Sequence, residues 1–184
     1  MNSPIISFIL ASSISVHWFR KDLSAQKNAL SEYALKEKGW ILTIGLFSMG
    51  VSQVTLAIFL LYNLGLLYAG ILFLIAGIGP IITAAFKTQP IKSKTFTGYM
   101  HDFGAGIEFI IFPFALLVIG SSTTNGYLQL VSFIFSFFIM LFSLIIIYIY
   151  LQGLTEKTTY WGVIQRINIY TITLWMLVSS YLLM

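Results

Sequence analysis

Cysteine is missing altogether and charge is scarce: none of the 184 residues is Cys, and only 9% are Asp, Glu, Lys or Arg. The first absence excludes disulfides, thiolate metal sites and cysteine nucleophiles. The second excludes an ordinary soluble surface, since a soluble domain is about one quarter charged. Histidine is limited to His17 and His101, and proline to four positions. No HExxH, GxSxG or phosphate-cradling glycine loop occurs, so no reaction is marked by motif. What fills the chain is apolar: 58% of residues are hydrophobic and the mean hydropathy is +0.91.

The apolar residues fall into six continuous segments, at about 4–20, 41–62, 65–86, 101–120, 127–151 and 161–183. About 20 apolar residues cross a bilayer as a helix. A barrel is disfavoured because the runs do not alternate. The expected fold is all-α, a polytopic transmembrane bundle of six helices forming one domain over residues 1–184. The first apolar run, Pro4 to Phe19, has 16 residues and spans about 24 Å, against about 30 Å of hydrocarbon. With no basic region ahead of it, it reads as a first membrane helix and not a cleaved signal peptide.

All ten Lys and Arg residues lie in alternate connections. Residues 20–40 carry Arg20, Lys21, Lys27, Lys36 and Lys38; 87–100 carry Lys87, Lys92 and Lys94; 152–166 carry Lys157 and Arg166. The tight turns Asn63-Leu64-Gly65 and Ser121 through Gly126 carry none. The positive-inside rule then puts the charged loops in the cytoplasm and both termini on the other side. The net charge of +4 and pI near 9.3 are explained by orientation, and no nucleic-acid partner is expected. Trp18, Trp40, Tyr160 and Trp161 read as an aromatic belt at the membrane edges.

Polar residues inside the segments mark helix contacts, because membrane helices pack through small and weakly polar side chains. The second segment has Gly45, Ser48, Ser52 and Thr55; the fifth has Ser132, Ser136 and Ser143. The sixth is more polar, with Gln165, Asn168, Thr171, Trp175 and Ser179, and is a candidate cavity wall. The fourth carries His101, Gly104 and Glu108. A charge at the bilayer centre costs about 2.5–3.5 kcal/mol on insertion scales, so Glu108 is expected to be neutral, paired or facing a wet cavity. Gln165 and Arg166 are its expected partners. Pro80 and Pro113 each remove a backbone bond and are expected to kink their helices.

His17, Arg20, Asp22, Ser31, Glu32, Tyr33, His101, Asp102 and Arg166 share one membrane face. Three chemistries use such groups. The two histidines suit haem, or a metal ion with Asp102 or Glu108. His101 with Asp102 suits acid–base work on a headgroup. Ser31 with a histidine base suits nucleophilic attack. The plain alternative is that His101 and Asp102 cap the N-terminus of the fourth helix and sit at the interface.

The segment LSEYALKEKGWILTIGLFSMG, Leu30 to Gly50, resembles the first-loop signature of a bacterial six-helix family, domain of unknown function nine-nine-eight. His17 ahead of that loop, His101 opening the fourth segment, and WGVIQRINIYTITLWMLVSSYLL (Trp161 to Leu183) are similar too. The resemblance implies an integral six-helix protein of a bacterial inner membrane, with no assigned reaction. The Ser-Glu stretch is also distantly similar to a loop of the eukaryotic Frag/DRAM/Sfk membrane proteins, which directs attention to Ser31, Glu32, His17 and His101. Two departures stand out. FKTQPIKSKT keeps only traces of the family's Phe-Pro-Thr-Asp-like run, and those eukaryotic proteins place the Ser-containing loop away from the cytoplasm, opposite to the charges here.

The first expectation is therefore binding of a lipid or small lipophilic ligand at the charged face. Its candidate residues are His17, Ser31, Glu32, His101, Asp102, Glu108, Gln165 and Arg166. The alternatives are a non-catalytic assembly subunit and a membrane enzyme acting on lipid headgroups. No cofactor is expected; haem or a metal ion on His17 and His101 is the alternative. Membrane lipids, a second copy or a partner membrane protein are the expected partners.

Overall fold

The structure is a computed structural model, and it describes residues 14–15, 21–35, 38–89, 93–154 and 158–183. His17 and Arg20 lie outside the described residues. A 3-10 segment, Leu30–Leu35, precedes five helices: α1 (Trp40–Tyr62), α2 (Leu67–Ala85), α3 (Phe96–Ser122), α4 (Gly126–Leu151) and α5 (Trp161–Leu182). Each helix packs on the next in sequence, and the 3-10 segment touches both α1 and α5.

Helices α1 to α4 are long and apolar enough to cross a membrane. Helix α5 has 22 residues, long enough at 1.5 Å each, but is more polar than the other four. The polarity is on its inner face, where Arg166, Asn168, Thr173 and Ser179 are buried. The burial pattern of α4 explains the membrane character physically. Its buried stripe holds Ser132, Ser136 and Ser143, while Phe133, Phe137, Phe138, Leu141 and Leu144 point outward. In water that arrangement would be inside out; in lipid the small residues bring helices close and the large apolar ones meet hydrocarbon. In α1 the expected stripe faces inward at Gly45 and Ser52, while Thr55 turns outward and closes on the Val51 carbonyl.

The bundle centre is aromatic. Trp175 stacks on Phe73 at 5.3 Å between ring centroids and meets Phe112 edge-on at 5.8 Å. Its indole Nε1 donates to Ser132 Oγ at 3.3 Å, so this buried tryptophan has the polar partner it needs. Backbones approach closely between α1 and α2, where a Cβ at Gly50 would meet the Gly77 carbonyl at 2.6 Å, and between α2 and α3. A Cβ at Gly79 would meet the Gly104 carbonyl at 2.6 Å, and one at Gly104 would meet the Gly79 carbonyl at 2.7 Å. Only glycine permits that contact.

Three sequence expectations need correction here. The fourth segment was read as starting at residue 101, yet α3 starts at Phe96. Gln89 Oε1 accepts from both the backbone N–H and the hydroxyl of Thr95, the residue just ahead of that first turn. Arg166, which the charge pattern counts with the connection 152–166 and hydropathy with the segment 161–183, lies in the second turn of α5 and is buried. Trp161 is not a belt residue: it is buried, whereas Trp40 and Tyr160 are well exposed. Adjacent Gly162 sets it inward by donating its N–H to the Gln26 carbonyl at 2.9 Å.

Candidate functional site

Residues 21–35 form a cap over the end of the bundle that carries the charges. They are pinned from α5. Arg166 Nη1 donates to the carbonyls of Ala25 (2.7 Å), Asn28 (2.8 Å) and Gly162 (2.8 Å), and its guanidinium lies over the Tyr33 ring. Gln165 Oε1 accepts from the Leu30 N–H at 2.7 Å. Within the cap, Glu32 accepts from the Ala29 N–H (2.9 Å) and from Asn28 Nδ2 (2.7 Å). Local bonds thus fix the carboxylate before any ligand arrives.

Beneath the cap lies a cavity of about 750 Å³. That falls within the range of small-molecule sites, about 300–1,000 Å³. Its polar end is built from Lys27, Asn28, Ser31 and Glu32 of the cap, Thr88 and Gln89 after α2, Lys94, His101 and Asp102 of the α3 start, Tyr150 of α4 and Gln165 of α5. Its apolar part descends between α3 and α4 along Ala105, Phe109, Ile146 and Ile147, with Trp161 alongside. The α4 wall ends cleanly because Gly153 takes φ +62° and closes a Schellman motif: Gly153 N–H donates to the Tyr150 carbonyl and Leu154 N–H to the Ile149 carbonyl, both at 3.0 Å.

His101 is buried and does not cap its own helix as expected. Its Nδ1 lies 2.8 Å from the Phe86 carbonyl and 3.1 Å from the Thr83 carbonyl, so it caps the C-terminus of α2 instead. The earlier start of α3 puts it in the second turn, level with that terminus. Asp102 is the centre of a polar trio. Lys94 Nζ and the Tyr150 hydroxyl both donate to Asp102 Oδ2, the latter at 2.6 Å, and Lys94 also bonds the Tyr150 oxygen. Burial pulls the Lys94 ammonium below the ordinary lysine value.

Of the expected site residues, Ser31, Glu32, His101, Asp102 and Gln165 meet in this cavity. Arg166 supports it from behind, and His17 lies outside the described residues. Glu108 is elsewhere, and the partners expected for it are wrong. Gln53 of α1 donates its amide to Glu108 Oε1 at 2.9 Å, both side chains being buried, while Gln165 and Arg166 are held by the cap. Glycines 77 and 79 make this possible, because α2 has no side chain there to separate the pair. The nucleophile option finds no hydrogen bond between Ser31 and His101 among the described residues. Nor does any group of three or more His, Cys, Asp or Glu among them suit a metal ion.

Lys94, Tyr150, Gln53 and Gln89 were missed from sequence. Gln53 had a readable signal, an isolated amide within an apolar run. Lys94 and Tyr150 had none, since a loop lysine and an interfacial tyrosine are ordinary at membrane edges.

A multi-pass helical membrane protein with a capped, two-toned cavity at one end is the class this architecture defines. The family model described as protein of unknown function (DUF998) matches residues 5–181, and the chain belongs to that family. No curated protein and no solved structure matches the chain.

Proposed function

We propose that this protein binds an amphiphile, a lipid or small lipophilic molecule, in the cavity under the 21–35 cap. The observation that carries this reading is the cavity's division into a polar end and an apolar shaft. An amphiphile places its head under the cap and its chain between α3 and α4, where apolar burial is worth about 25 cal/mol per Å². By the positive-inside rule we read this end as the cytoplasmic one, and the family resemblance favours a bacterial inner membrane. The assembly-subunit alternative needs the Ser and Gly stripes of both α1 and α4 to face outward; Ser132, Ser136 and Ser143 are buried, as are Gly45 and Ser52, while Thr55 is exposed.

The test is native mass spectrometry of protein released from membranes in mild detergent. The expected result is a reproducible lipid-sized adduct that Gly106→Leu removes. Gly106 lines the cavity, and a Cβ there meets nothing within 4 Å, so leucine fills the space without straining the helix. An adduct that persists in the filled variant would overturn the reading.

A further inference from the structure

We propose that the cavity selects an uncharged, hydroxyl-bearing headgroup, such as the glycerol or sugar end of a lipid, through two uncommitted acceptors, His101 Nε2 and Asp102 Oδ1. This inference rests on the ligand-binding reading above.

The tautomer of His101 follows from geometry. Nδ1 faces two carbonyl oxygens, at 2.8 and 3.1 Å, and carbonyls only accept. Nδ1 therefore carries the proton, and the neutral ring keeps its lone pair on Nε2. Nε2 makes no hydrogen bond among the described residues, and His101 lines the cavity. Asp102 shows the same division of labour. Both of its bonds, to Lys94 and Tyr150, go to Oδ2, which leaves Oδ1 open on a residue that also lines the cavity.

Charge decides among the ligands that could donate to these atoms. The Lys94 side chain is only 4% exposed and is engaged by Asp102 and Tyr150, so it is a poor receptor for an added anion. A phosphate at these two atoms would meet the His101 lone pair and the Asp102 carboxylate oxygen, both acceptors, while Lys27 and Glu32 elsewhere on the wall offset each other in charge. An ammonium would meet Asp102 already neutralised by Lys94, with Lys27 also on the wall. Hydroxyls donate to both acceptors and bring no charge that must be desolvated.

The experiment uses the full chain in a detergent with no hydroxyl on its head, lauryldimethylamine oxide, titrated by native mass spectrometry. The probes are dioctanoylglycerol and dioctanoylphosphatidate, which share their chains and differ in the head. The diacylglycerol is expected to bind at least about tenfold more tightly. His101→Asn keeps a donor where Nδ1–H stood and deletes Nε2; it should weaken diacylglycerol about tenfold and leave thermal unfolding unchanged. Asp102→Asn can keep an oxygen for Lys94 and Tyr150 while presenting NH2 in place of Oδ1, and should also lose the preference. Equal or tighter binding of phosphatidate would overturn the inference and leave the cavity reading standing. So would a preference that neither variant changes. Failure of both lipids to bind would overturn the cavity reading as well.

Discussion

The Gln53–Glu108 pair allows structural and functional roles to be separated by energy. Gln53 is fully buried and Glu108 is 4% exposed, and one 2.9 Å bond joins them. Gln53 Oε1 already has no hydrogen-bond partner. Glu108→Leu would therefore strip the amide of its remaining bond, at a cost of about 1–3 kcal/mol for an orphaned buried group. Gln53→Leu would orphan the carboxyl, at a similar or larger cost. Changing both to Leu removes the polar groups together, and stability should return to within about 1 kcal/mol of the parent. The coupling, the two single losses less the double loss, should therefore be at least about 1 kcal/mol, above the average of about 0.6 for interhelical bonds in membranes and, for mid-range single losses, beyond their maximum of about 1.7 kcal/mol. Thermal unfolding of the four proteins in one detergent, followed by circular dichroism, measures it. Additive losses in the double variant would refute the pairing. The double variant should also keep its ligand, because neither residue lines the cavity; a lost adduct would return Glu108 to the site.

Gly104→Ala should destabilise by about 1–3 kcal/mol, since its Cβ would press on the Gly79 carbonyl and on Thr83 Oγ1 at 2.7 Å, both held in a packed helix pair; a thermal midpoint equal to the parent's would contradict the close crossing. Arg166→Met removes three bonds to carbonyls, two of them in the cap, so amide hydrogens of residues 21–35 should exchange faster while those of α3 do not; uniform protection would show that the cap is held by other means. Gly153→Ala puts a side chain at φ +62° and should cost about 1 kcal/mol, read as a lower thermal midpoint with the α4 end fraying in hydrogen exchange.

Hydropathy and charge alone establish the class, the five helices from Trp40 onward and the end of the bundle where the charges collect; the expected first helix, about 4–20, lies outside the described residues except for 14–15. Apolar runs of membrane length leave the backbone no alternative to helix, because only helices and closed barrels satisfy their own hydrogen bonds in lipid. The same exclusion of charge from hydrocarbon gathers Ser31, Glu32, His101, Asp102 and Gln165 at one face, so those cavity residues were legible. Tertiary structure decided their pairing. Whether Glu108 meets Gln53 or Gln165 depends on which helices touch, and that depends on glycines 77, 79 and 104, whose role is visible only when two backbones are in contact. Likewise, His101 caps α2 and not its own helix because α3 starts five residues earlier than the apolar run suggests. Periodicity records which way a side chain faces along its own helix; it holds no information about what stands opposite.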